Sequence, residues 1–113
     1  MSKIIGSEEI NGVLVISTEG YLNKDLALEL MDIASSHIEK GTKNILINLS
    51  KSNIVNSIGA SIIIELIEKL QDVDGSLSFC ELPTIIEKTF KIMGLTKYCD
   101  TYENQESALE QLT

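Results

Sequence analysis

The chain has no arginine and no tryptophan, one proline, one histidine and two cysteines in 113 residues, and aromatic side chains make up 4% of it. Each shortage excludes something. Without arginine there is no guanidinium fork to read guanine or clamp a phosphate, and the nine lysines are outnumbered by seventeen carboxylates, leaving a formal charge of −8. Nucleic acids and anionic membranes both select clustered cations, so the composition argues against either as a partner. The acidity instead favours a basic protein surface. Cys80 and Cys99 fit no metal or redox spacing and read as small core side chains of a reduced protein. No apolar run approaches the ~20 residues that cross a bilayer. Residues Met1 to Gly6 lack the apolar segment of a signal peptide. A cytoplasmic protein is the expectation.

What the chain does have is 43% hydrophobic residues, too many for disorder. The length predicts one domain, residues 1–113, with a core sufficient to fold without metal or disulfide. Lys3 to Ile10 reads as a strand, Asn11-Gly12 as a two-residue hairpin turn, and Val13 to Thr18 as an antiparallel partner. Gly20 to Asn23 then reads as a turn. Asn23 is placed to cap a helix to about Lys40, with Leu26, Leu30, Ile33 and His37 or Ile38 along one face and Gly41 as its left-handed stop. The near-continuous apolar stretch Ile45 to Leu49 predicts a strand covered on both faces. A short loop, then Ile54-Val55, leads into a helix that runs to about Asp72. Leu77 to Cys80 forms a further strand. Pro83 suits the first turn of a helix carrying Ile86, Phe90 and Met93 on one face and stopping at Gly94-Leu95. Tyr98 to Tyr102 reads as a last strand, and Asn104 as the cap of a terminal helix with Ala108, Leu109 and Leu112 inward. The order ββαβαβαβα predicts an α/β fold: a mixed sheet of four to five strands with about four helices packed on it.

Recognisable catalytic patterns are missing. There is no GxxxxGK[ST] or GxGxxG phosphate loop, no HExxH and no Cys/His cluster, so no cofactor and no metal are expected. His37 lies on the apolar face of a helix and reads as a core or boundary residue, not as the base of a triad. Glu65/Glu68 and Asp72/Asp74 have the spacing of a solvated helix face. An enzyme of unrecognised type would need a deep pocket with perturbed carboxylates or His37.

One segment draws attention, Asn53 to Ala60, where a strand region meets an amphipathic helix. Asn56 and Ser57 are both candidates for its cap. A serine there stands near unpaired backbone N–H groups and the positive end of the helix dipole. Phosphorylation would add about −1.5 to −2 charge at a place that accommodates an anion, changing the surface without unfolding the helix. The plainer alternative is that serine is a common cap and most caps are never modified. Ser50, Ser52 and Ser61 are alternative acceptors, with Ser61 one turn into the helix and expected to be less accessible.

Four stretches carry a resemblance: Ile45-Leu46-Ile47-Asn48-Leu49-Ser50, Asn56-Ser57-Ile58-Gly59, Gly75-Ser76-Leu77-Ser78-Phe79-Cys80 and Phe90-Lys91-Ile92-Met93-Gly94-Leu95. In this order the whole chain resembles a STAS domain of the anti-sigma factor antagonist family. In that family the second stretch reads D-S-[SA]-G and the last F-x-[ILM]-x-[GN]-L. The resemblance implies a non-catalytic protein without cofactor. Ser57 would be the serine phosphorylated by a partner kinase that is also an anti-sigma factor. The unphosphorylated form would bind that kinase and free the sigma factor, the phosphorylated form would not bind, and a PP2C-type phosphatase would restore the serine. It implies a partner surface of Asn23, Asn56, Ser57, Ile58, Gly59 and Ser61, while the oligomeric state stays open, a monomer or a weak dimer. The sequence departs from the pattern at three positions: Asn56 and Asn23 replace aspartates, and Ile58 replaces a small residue. Neutral Asn56 repels a phosphate on Ser57 less than an aspartate would, and offers a basic partner less. A scaffold or adaptor STAS module without a phospho-switch, in a stressosome-like or transporter-associated assembly, is the other reading.

Overall fold

The computed structural model describes residues 2–113. Asn11 and Gly12 both take positive φ, 49° and 86°, and close the hairpin between β1 (Lys3–Ile10) and β2 (Val13–Leu22). Three crossovers follow: α1 (Lys24–Glu39) to β3 (Asn44–Val55), α2 (Ser57–Gln71) to β4 (Ser76–Cys80), and α3 (Thr84–Ile92) with a 3₁₀ turn (Leu95–Lys97) to β5 (Asp100–Tyr102). The chain ends in α4 (Gln105–Leu112). The five strands lie in the order β1-β2-β3-β4-β5, with β1–β2 antiparallel and the other pairs parallel. The expected ββαβαβαβα mixed sheet is therefore the fold.

The sheet has two unequal faces. Leu14, Ile16, Ile45, Ile47 and Phe79 point into a large core shared with α1, α2 and α3, where Leu26, Leu30, Leu66, Ile86 and Phe90 are buried. Val13, Val15, Leu46 and Cys80 point the other way and are covered by Ala108, Leu109 and Leu112 of α4. Coverage on both sides explains why Leu77, Ser78, Phe79 and Cys80 are all buried, where a one-sided strand would alternate. Burial pushes the Cys80 thiol up to about 12 and the Cys99 thiol to about 11, each helped by a neighbouring carboxylate. Cys99 also donates its Sγ–H to the Leu95 carbonyl at 3.1 Å. Because the thiolate is the nucleophile, native protein should resist iodoacetamide at pH 8, and both thiols should label only in denaturant; native labelling followed by intact mass checks this.

Several expectations need correction. Gly20 to Leu22 do not turn the chain but extend β2, with Gly20 at φ 87°. No loop separates Leu49 from Ile54, because β3 runs unbroken to Val55. The cause is shared. Ser17 pairs with Asn48 but Glu19 with Lys51, and Gly20 pairs with Ser52 but Tyr21 with Ile54, so β3 carries an extra residue at each of two irregularities. Such bulges destroy the period-two signal while the ladder continues. The buried hydroxyls of Thr18 and Ser52 meet at 2.6 Å in this arm, which removes Ser52 as an accessible acceptor. Tyr98 and Cys99 precede the last strand, because the 3₁₀ turn takes up the chain after Gly94, itself left-handed at φ 77°. Pro83 sits just before α3 and not within its first turn, and Met93 is exposed. Along α1 the fully buried stripe is Leu26, Ala27, Leu30 and Ala34, with Ile33, His37 and Ile38 only half-buried at its margin.

Candidate functional site

The parallel pairing of β2 with β3 ends with Leu22 opposite Val55. The residues that follow, Asn23 and Asn56, each adopt extended backbone and cap the next helix. Asn23 Oδ1 accepts from the Leu26 N–H at 3.1 Å, and Asn56 Oδ1 accepts from the Gly59 N–H at 2.7 Å. Two helix N-termini therefore open side by side at the carboxyl end of the sheet, where their dipoles present partial positive charge. The start of α2 is seated on the end of β2: the Asn56 N–H donates to the Leu22 carbonyl at 3.3 Å. A Cβ added at Gly59 would lie 2.3 Å from that same carbonyl oxygen, so only glycine permits the approach.

Asn56 is the cap, and Ser57 is the first residue of the helix. Ser57 is exposed. The Gly59 N–H is engaged by Asn56, whereas the amides of Ser57 and Ile58 belong to the first turn and have no intrahelical acceptor. No acidic residue lies in that turn. An anion carried on Ser57 therefore meets backbone donors and a helix dipole without a neighbouring carboxylate in the same turn. The surroundings are apolar on one side: Ile58 is 52% exposed, and Tyr21 and Ile54, paired across the β2–β3 arm, are 39% and 44% exposed. These two were not singled out from the sequence. Their signal lay in alternation along the strand, which the bulges scrambled.

The structure gathers Asn23, Asn56, Ser57 and Ile58 at one end of the molecule. Gly59 belongs to the same corner but is buried, so it positions the helix and offers no side chain to a partner. Ser61, expected to be less accessible, is exposed, and its hydroxyl donates back to the Ser57 carbonyl at 2.9 Å. Ser50 is exposed as well.

The other candidates lie elsewhere. His37 Nδ1 stands 3.6 Å from Glu9 Oε1 at the far end of α1. That carboxylate also accepts from the Thr42 hydroxyl at 2.6 Å, the main cause that holds it below the usual carboxylate range; desolvation opposes the shift, and the neighbouring His37 and Lys40 add lesser lowering contributions. This cluster fastens the hairpin to the end of α1. Among the described residues, no group of three or more His, Cys, Asp or Glu side chains could hold a metal ion, and no helix is long and apolar enough to cross a membrane.

Comparison with known proteins places this geometry in context. The family model of the STAS domain matches residues 5–108. BtrV of Bordetella bronchiseptica, named as an anti-sigma factor antagonist, is 24% identical over 101 residues, covering 89% of this chain and 87% of that protein. The crystal structure of a Thermotoga maritima protein described as an anti-sigma factor antagonist superimposes with a TM-score of 0.86 at 16% identity, covering 94% of this chain and 92% of the other. The phosphorylated form of the Bacillus cell fate determinant SpoIIAA superimposes with a TM-score of 0.76 at 19% identity, covering 96% and 98%. With the family model running from within β1 to the middle of α4, the chain belongs to the STAS domain family.

Proposed function

We propose that this STAS domain is a cytoplasmic anti-sigma factor antagonist whose partner surface is the corner where α1 and α2 begin, and whose switch is Ser57. The observation that carries the proposal is the placement of Ser57: exposed, first in its helix, beside unpaired amides and within an apolar rim. The similarity to BtrV and the likeness to a phosphorylated SpoIIAA support the same reading. The unmodified surface docks on an anti-sigma factor with serine kinase activity, covering Tyr21, Ile54 and Ile58. Phosphate on Ser57 adds about −1.5 to −2 charge at the centre of that contact. The free protein tolerates this charge because water and the helix N-terminus solvate it. A partner covering the apolar rim must strip the water away, and a desolvated, unpaired anion is costly. The switch thus acts on the complex and not on the fold. A PP2C-type phosphatase resets it.

The test is a pull-down from the native host with wild type, Ser57→Ala and Ser57→Asp, read by mass spectrometry, followed by affinity measurement on the captured anti-sigma kinase. Wild type and Ser57→Ala should bind alike, and Ser57→Asp should lose about 100-fold or more, since misplaced charge in an interface costs several kcal/mol. Incubation of wild type with that kinase and ATP should modify Ser57. Modification elsewhere with Ser57 untouched would falsify the switch. Silent Ser57 substitutions, with a stable large assembly on size exclusion, would instead support a STAS scaffold.

A further inference from the structure

The tip of the β1–β2 hairpin brings together two reactive groups that the Ser57 corner does not involve. Asn11 and Gly12 are both exposed at positive φ. Nothing lies within 4 Å of the place a Cβ would occupy on Gly12, so its amide nitrogen is open to approach. Among the described residues, that N–H donates to no backbone carbonyl. The nearest electrophile along the chain is the Asn11 carboxamide carbon. The fold treats the seven asparagines unequally. Asn23, Asn56 and Asn104 hold Oδ1 against backbone amides as helix caps, Asn44 Oδ1 accepts from the Ser76 hydroxyl at 3.0 Å, and Asn48 Nδ2 donates to Glu81 and Gln105. Among the described residues, that leaves the carboxamides of Asn11 and Asn53 without a hydrogen-bond partner. Asn53 lies inside β3, and the stiff branched side chain of Ile54 crowds the nitrogen that follows it. Asn11 alone joins a free carboxamide to a following glycine.

We propose that Asn11 is a self-modification site, where the hairpin turn converts to aspartyl and isoaspartyl forms with water as the only co-reactant. The Gly12 nitrogen gives up its proton and bonds to Asn11 Cγ. The Cγ–Nδ2 bond breaks, and the proton leaves with Nδ2 as ammonia. Ring closure needs the turn to flex, and the tip of an edge hairpin opens at low free energy. One water then opens the cyclic imide. Cleavage between Cγ and the Gly12 nitrogen gives aspartate. Cleavage between the Asn11 backbone carbonyl carbon and that nitrogen gives isoaspartate, in which the chain runs through Cγ. Either product adds one carboxylate and takes the formal charge from −8 to −9. Their structural consequences differ. Aspartate before glycine accepts positive φ, so the turn persists. Isoaspartate lengthens the main chain by one carbon in a two-residue loop, where loop length fixes the register. Ile10 and Val13 are paired directly beside it, and Glu9 anchors the hairpin through the Thr42 hydroxyl. Since β1 is held in the sheet by β2 alone, the isoaspartyl form releases the end of β1 and the Glu9 anchor with it.

The experiment holds the whole folded chain at pH 8 and 37 °C, beside a sample in urea, and follows both by intact mass and peptide mapping. The native sample should gain about one mass unit, confined at first to the peptide containing Asn11 and divided between aspartyl and isoaspartyl forms. Asn11 should react several-fold ahead of every other asparagine, and faster as pH rises, because its neighbour's nitrogen must lose a proton. Asn11→Gly keeps a residue that suits the turn and should abolish the reaction. In the purified isoaspartyl form the cross-strand nuclear Overhauser contact between Ile10 and Val13 should be lost and the Thr42 amide should shift. Asn11→Asp should keep both as in the wild type. Reaction at Asn53 or at a capping asparagine before Asn11, an inert native chain beside a reacting urea sample, or an isoaspartyl form that retains the Ile10–Val13 contact would each overturn the proposal. Neither a kinase nor Ser57 enters these measurements, so this proposal and the switch fail separately.

Discussion

Gly59→Ala destabilises the protein by about 3 kcal/mol, the upper part of the range for a forced steric clash. The added methyl group would lie 2.3 Å from the Leu22 carbonyl oxygen and 3.1 Å from its carbon, both backbone atoms of β2. No rotamer change relieves such contact. Either α2 lifts off the end of the sheet or β2 deforms. Lifting the helix weakens the 3.3 Å bond from the Asn56 N–H to Leu22 and disturbs the 2.7 Å cap on Gly59. The substitution therefore damages stability and the Ser57 corner together. Urea unfolding gives the stability loss, and amide shifts of Asn23 and Leu26 report whether the neighbouring helix start moves too. Gly6→Ala is the control: nothing lies within 4 Å of a Cβ there, and its effect should stay within about 0.5 kcal/mol. Equal effects at the two glycines would contradict the close approach of α2 to β2.

Phe90→Ala costs about 4 kcal/mol, in the middle of the range for truncating a buried aromatic. Phe90 and Phe79 are the only phenylalanines in the chain, both fully buried, with ring centroids 4.9 Å apart and planes inclined by 61°. That edge-to-face pair joins α3 to β4 and adds roughly 1 kcal/mol beyond the area it buries. In a chain with so few aromatics, no other large ring is at hand to refill the space. Thermal unfolding should show a fall in Tm of more than about 15 °C, given several degrees per kcal/mol for a domain of this size. Phe90→Leu, which keeps most of the volume, should lose less than half as much. If the alanine and leucine variants unfold alike, α3 does not pack against β4 through this pair.

The surroundings of α2 are not equally legible in the sequence. Ser57 is legible in the sequence because it follows a strand and opens an amphipathic helix, and because Asn56-Ser57-Ile58-Gly59 falls where a STAS domain carries its serine. An apolar groove further along α2, lined by Ile64, Ile67, Met93, Leu95 and Tyr98, is not legible. Its walls come from α2 on one side and from the end of α3 and the 3₁₀ turn on the other, more than twenty residues further along the chain. Ile64 reads in sequence as one more position of an apolar helix, and only packing shows that it is left at the edge of the core, 40% exposed. Likewise Tyr21 and Ile54 look like ordinary strand residues until their pairing brings them to the rim around Ser57.

The absence of arginine and the excess of carboxylate, with which the sequence is most easily distinguished, fixed by themselves what the protein does not favour, because net charge needs no fold to be counted. Local chemistry likewise determined the hairpin at Asn11-Gly12, the caps at Asn23 and Asn104, the stop at Gly94 and the order of strands and helices, since each rests on residues within a turn of one another. Tertiary structure alone decided three things: that β3 runs through Ser50 to Asn53 as a bulged strand, that Asn56 and not Ser57 is the cap, and that two helix starts open side by side. All three depend on the register between β2 and β3. Register is a long-range property, set by which buried faces must match across the sheet, and no local pattern encodes it once a bulge has broken the alternation.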